Sequence, residues 1–161
     1  MRDSAEIGNM VLEPFVTATR AALCEMASTD AVVRSMGQNS GDRAAGDVAV
    51  MLRLTSATEA FLVLNFAEGT AAALAERMLA GVTAEVDNRL NRECVGEIGN
   101  VVAGQAKALL AGTPDHFAFS LPEVLNDGND FNPPPGLDCL VAEFNSEQGA
   151  FVFQLFVKLS A

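Results

Sequence analysis

A glutamate and an asparagine stand three residues apart twice in this chain, at Glu6-Ile7-Gly8-Asn9 and at Glu97-Ile98-Gly99-Asn100. On a helix, residues i and i+3 project side by side. An asparagine amide both donates and accepts hydrogen bonds, so it can hold one water in a fixed direction. A carboxylate beside it can anchor a lysine of a partner. Hydrolysis of a phosphoryl group chiefly needs an oriented water, because its transition state is loose and positioning dominates. Such chemistry requires no acid–base residue, and no metal of the protein's own if the substrate brings magnesium.

Other chemistries find little support. His116 is the only histidine and has no nucleophile motif for a triad, and a His-rich metal site is excluded. There is no Walker loop and no GxGxxG. The three cysteines, Cys24, Cys94 and Cys139, form no CxxC and read as reduced thiols, two of them within helical patterns. The net charge of -11 argues against nucleic acid or an anionic membrane as the main partner. No secretory signal and no membrane-spanning run is apparent, so a cytoplasmic location is expected. The 161 residues, half of them hydrophobic, suit one domain spanning 1–161.

The elements that must position the two pairs follow from periodicity. A helix is expected from about Leu12 to Met26, with Pro14 in its first turn, where a missing N–H costs little. A strand begins at Val32-Val33, and 37–46 reads as a loop by composition. Asp47 to Thr55 and Ala60 to Phe66 form a hairpin across SAT. A compact helix runs from Thr70 to Ala80 and a long one from Asp87 to Ala111. Phe117 to Val124 is extended and interrupted by Pro122, 126–136 is a loop or edge segment, and Leu140–Asn145 and Ala150–Leu159 are the last strands. Hairpin links dominate. The expected fold is α+β, two-layered, with a largely antiparallel, roughly six-stranded sheet and long helices packed on it.

On the long helix, Leu90, Cys94, Val95, Ile98, Val101, Val102, Ala106 and Leu109 fill one apolar arc. Glu93, Glu97, Asn100 and Gly104 fall within about 60° on the other side, flanked by Gly96, Ala103 and Lys107. Gly96, Gly99 and Gly104 each cost about 1 kcal/mol relative to alanine inside a helix. Something therefore approaches the backbone closely: a neighbouring helix, a partner protein or a substrate.

The stretch ECVGEIGNVVAGQAKALL, followed by FSLPEV, resembles the signature of the CheX/CheC family of chemotaxis phosphatases. LEPFVTA and GQAK are similar to the CheX branch in particular. The resemblance, which covers nearly the whole chain, implies a phosphatase acting on the aspartyl phosphate of a CheY-like response regulator. It implies that Glu97 pairs with the regulator's active-site lysine and that Asn100 orients the attacking water. Glu93 stands where the family pattern has Asp or Ser, and Pro122 stands near the family's downstream proline. Gly96, Gly104 and Lys107, with Glu93, are the expected partner-binding residues. No cofactor of the protein's own is implied, since magnesium belongs to the regulator. A homodimer built by extending the sheet is expected. A noncatalytic receiver-binding or structural dimer module, as in flagellar switch proteins of the same fold, is the alternative.

The first EIGN fits this scheme poorly. The helix ends ATRAAL and QAKALL align at an offset of 87 residues, whereas the two EIGN copies are 91 apart. Glu6 and Asn9 also precede Pro14, and they read as a lead-in to the first helix.

Overall fold

The computed structural model describes residues 4–39, 46–83 and 85–159. In chain order the elements are α1 (Ser4–Ala27), β1 (Ala31–Asn39), β2 (Val48–Thr55), β3 (Glu59–Phe66), α2 (Glu68–Met78), α3 (Asn88–Leu109), β4 (Ala118–Phe119), β5 (Glu123–Leu125), β6 (Asp138–Ser146) and β7 (Phe151–Val157). They build one α+β sheet of seven strands in the order β1-β6-β7-β3-β2-β4, with β5 also paired to β2. Every pairing is antiparallel. The count exceeds six because the extended stretch around Pro122 is broken into β4 and β5.

Period-2 alternation assigns the two faces of the sheet. Val50, Leu52, Leu62, Leu64, Leu140, Phe144, Phe153 and Leu155 face the helices. They bury Leu12, Phe15 and Ala18 of α1 and Val95, Ile98 and Val102 of α3. Burying each such large apolar side chain contributes about 1.5–3 kcal/mol. The opposite face carries a smaller cluster of Ala49, Phe61, Val63 and Phe156, covered by Phe131 from the segment after β5.

Most boundaries fall within about two residues of expectation, and two differ by more. The first helix begins at Ser4, so Pro14 lies inside it and the first EIGN is helical. The proline removes one rung of the ladder. Packing on both sides of it, by Gly8 against Leu140 and by Leu12 and Phe15 in the core, carries the helix through. The first strand runs on through Gly37, Gln38 and Asn39, which pair with Val141, Leu140 and Cys139. Loop-like composition yields there to the pairing that β6 offers. The remainder of the expected loop, 40–45, lies outside the described residues.

Candidate functional site

Helix α3 carries the candidate site. Asp87 caps it by accepting a hydrogen bond from the Leu90 N–H at 2.9 Å. The Arg92 Nε donates to Asn126 Oδ1 at 2.6 Å, which ties the first turns to the segment after β5. Farther along, Gln105 Nε2 donates to Glu25 Oε2 at 3.0 Å and links α3 to α1. Asn91, Cys94, Val95, Ile98, Val102 and Ala106 are buried at helical spacing. The apolar arc is therefore real but turned from the expected one: Leu90 and Val101 are only partly buried, and Leu109 is 52% exposed near the end of the helix.

The glycines have a definite cause. A Cβ at Gly99 would lie 2.7 and 2.8 Å from the Val50 methyls, and one at Gly96 would lie 3.1 Å from Val124 Cγ2. Both glycines are buried and let α3 sit close on β2 and β5. Gly96 therefore offers no surface to a partner, contrary to expectation. Gly104 is different: it is half-buried, and its nearest neighbour, Phe119 Cζ, would be 3.9 Å from an added Cβ. A methyl fits there without strain. Gly104→Ala is expected to stabilise the fold by up to about 1 kcal/mol through helix propensity, raising the melting temperature by about 2–4 °C. A lower melting temperature in a thermal scan would show instead that the helix requires a glycine at this point.

What remains exposed is a narrow polar ridge. Glu97 is exposed and Asn100 half-exposed, nearly one helical turn apart on the same side. Neither side chain has a hydrogen bond or ion pair to another described residue. Glu93 is exposed but engaged: its Oε1 accepts from Arg89 Nη1 at 3.0 Å. A surface pair of this kind is worth a few tenths of a kcal/mol, so it opens readily. Lys107 lies with its ammonium 5.7 Å from the centroid of the Phe119 ring, at the far end of the ridge. Burial, together with the Glu93 charge, pushes the Cys94 thiol above its ordinary value, so it stays protonated and is no nucleophile. Among the described residues, no group of three His, Cys, Asp or Glu side chains is arranged to hold a metal ion. Likewise, no helix among them is long and apolar enough to cross a membrane.

The first EIGN sits in a different setting. Gly8 is buried against Leu140, Glu6 is exposed, and the Asn9 Oδ1 is buried with no hydrogen-bond partner. An amide whose oxygen is buried cannot hold a surface water at both ends. The segment beside the ridge was less legible in sequence. β4 and β5 run antiparallel to β2 with Pro122 half-buried between them, and Phe119 and Val124 pack near Gly104 and Gly96. Pro122 was the only signal of that break.

Residues 48–145 match the family model described as chemotaxis phosphatase CheX, a span that includes Glu97 and Asn100. Among solved structures, the chain is similar to the chemotaxis protein CheX from Desulfovibrio desulfuricans at 23% identity. That match has a TM-score of 0.81 and covers 91% of this chain and 97% of the other. It is similar to CheX from Vibrio vulnificus at 23% identity and a TM-score of 0.78, covering 91% and 98%. It is also similar, at 20% identity and a TM-score of 0.71, to a chain of the CheX-CheY-BeF3-Mg2+ complex from Borrelia burgdorferi, covering 91% and 96%. No curated protein matches the chain significantly.

Proposed function

The chain belongs to the chemotaxis phosphatase CheX family, and from that premise we propose that it hydrolyses the aspartyl phosphate of a CheY-like receiver domain. The observation that carries this reading is Glu97 and Asn100, unpartnered among the described residues, on an exposed ridge whose reverse side is locked to the sheet. Asn100 enters the receiver's site and holds a water in line with the acyl-phosphate bond. The water oxygen bonds to phosphorus, the bond to the receiver's aspartate breaks, and the carboxylate and inorganic phosphate are released. The water's proton ends on phosphate. A loose transition state asks little of a general base, so placement does most of the catalysis. Glu97 pairs with the receiver's lysine and sets the register. Magnesium is held by the receiver, where it neutralises phosphoryl charge.

The test is phosphate loss from purified phosphorylated receivers of the host, with and without the protein. Acceleration for at least one receiver is expected, and unchanged decay for all of them would refute the enzyme reading. Glu93 favours one second reading, a noncatalytic receiver-binding module, because it stands where the family pattern has Asp or Ser. Tight binding without faster decay would select it.

The proposed assembly is a homodimer formed at the free edge of β1. Among the described residues that strand pairs only with β6, and it displays Val32 and Met36, 48% and 38% exposed. Unpaired edge groups beside apolar side chains invite another strand. The Val32→Lys/Met36→Lys double variant is expected to sediment as a monomer while the unaltered protein sediments as a dimer. A dimer that survives both lysines would place the interface elsewhere.

A further inference from the structure

The edge segment beside α3 contains a one-residue bulge. Leu54 pairs with Phe119 and Met51 with Glu123, so three steps along β2 answer four along the edge. The bulge is pinned. Ser120 N–H donates to Arg53 O at 2.9 Å, Arg53 N–H donates to Ser120 Oγ at 2.9 Å, and Ser120 Oγ donates to Leu121 O at 3.0 Å. Pro122 then fixes the backbone on the far side. Bulges at sheet edges re-aim side chains, often next to functional sites.

The aim can be worked out from both ends. Phe119 and Val124 both pack with the core on the helix side of the sheet. Counting by twos from each end assigns Leu121 and Pro122 to that same side. Phe119 lies against Gly104 and Val124 against Gly96, so the bulge between them is level with Asn100. There Leu121 stands 87% exposed, the most exposed of the large apolar side chains among the described residues. A scattered exposed leucine means little. A leucine on a pinned backbone beside the proposed catalytic pair is a preorganised contact, costing little entropy when covered.

The geometry points to Leu121 as an apolar docking point that seats the phosphorylated receiver beside Asn100, in a recess bordering the phosphoryl group. This rests on the receiver-phosphatase reading above and adds to it the residue that sets affinity. Leu121 touches no reacting atom, so its loss weakens binding and spares turnover at saturation.

The experiment titrates the full chain with a receiver domain carrying beryllofluoride and, separately, measures kcat and KM on the phosphorylated receiver. Leu121→Ser is expected to raise Kd and KM about tenfold or more, with kcat within about twofold. Leu121→Met should recover most of the affinity. Val82→Ser, a somewhat smaller apolar loss in the exposed turn after α2, should change neither constant. Because Leu121 is at the surface, an unchanged melting curve shows that Leu121→Ser folds. Equal Kd for Leu121→Ser and the unaltered chain overturns the inference while leaving the phosphatase reading intact. Binding without dephosphorylation overturns the phosphatase reading, and Kd still decides the role of Leu121. No binding to any receiver overturns both.

Discussion

Replacing Asn100 by alanine lowers turnover of phosphorylated receiver by about 100-fold or more and leaves the fold at least as stable. The two halves of this expectation have separate causes. Asn100 is half-exposed and has no side-chain partner among the described residues, so truncation strands no buried group. Alanine is the better helix former by up to about 0.7 kcal/mol. The activity loss follows from the placement of one water. A preorganised group aimed at the reacting atoms typically accounts for 10²–10³ in rate, and here little else is available to supply it. Asn100→Asp is a sharper variant, because it keeps the shape, deletes the N–H donors and sets a negative charge against a phosphoryl group. It too should be inactive. KM should move little in Asn100→Ala, since the proposed receiver contacts of Glu97 and Leu121 are left untouched. Retention of a third or more of wild-type turnover by Asn100→Ala would remove the amide from the mechanism.

Gly99→Val is expected to be the most damaging single change to the scaffold under the site. An added Cβ already falls 2.7 and 2.8 Å from the two Val50 methyls and 3.0 Å from Leu52 Cδ1. Valine adds two further methyls against a sheet that cannot recede. Overpacking of this kind costs about 1–3 kcal/mol, while valine regains only about 0.4 kcal/mol of helix propensity over glycine. Overpacking wins, with a net loss of about 2 kcal/mol and a melting temperature lowered by about 4–8 °C. Because Asn100 is the next residue, α3 moves with it, and a shift near 1 Å in a positioned group can cost about 100-fold in rate. The second-site variant Val50→Ala reopens space under the helix and should recover part of the stability. Thermal melts and turnover on the single and double variants check both links. Wild-type melting of Gly99→Val would show that β2 leaves more room than the packing indicates.

Much of the fold, and the outward placement of Glu93 and Glu97 in the candidate site, can be read from the sequence, for reasons that particular residues make plain. The ridge of Glu93, Glu97 and Asn100 follows from a helical step of about 100° and survives in the structure as an exposed face. What a helical wheel lacks is the distance to a neighbouring layer. It places Gly96 beside the ridge and cannot show Val124 pressed against it, so a packing glycine reads like a partner's footprint. It also places Leu109 in the apolar arc, whereas that residue is half-exposed near the end of α3. A local rule about Pro14 starts α1 near Leu12, and tertiary contacts at Gly8, Leu12 and Phe15 override it. The two EIGN copies illustrate the same limit. Their letters are identical and both are helical, yet the Asn9 oxygen is buried while Asn100 faces outward. Pro122 announced an interruption. The bulge at Leu121 depends on register against β2, which only the paired strand supplies.

The central claim is that water, placed by Asn100, attacks the receiver's phosphoryl group directly. A single-turnover experiment with the receiver carrying a labelled phosphoryl group and this protein in excess tests it most directly. Label is expected to pass from the receiver to inorganic phosphate faster than by the receiver's own decay, with none found on this chain at any time, and Asn100→Ala is expected to return the trace to the unassisted rate. Label appearing on this chain, or a trace indistinguishable from the receiver alone, would contradict it.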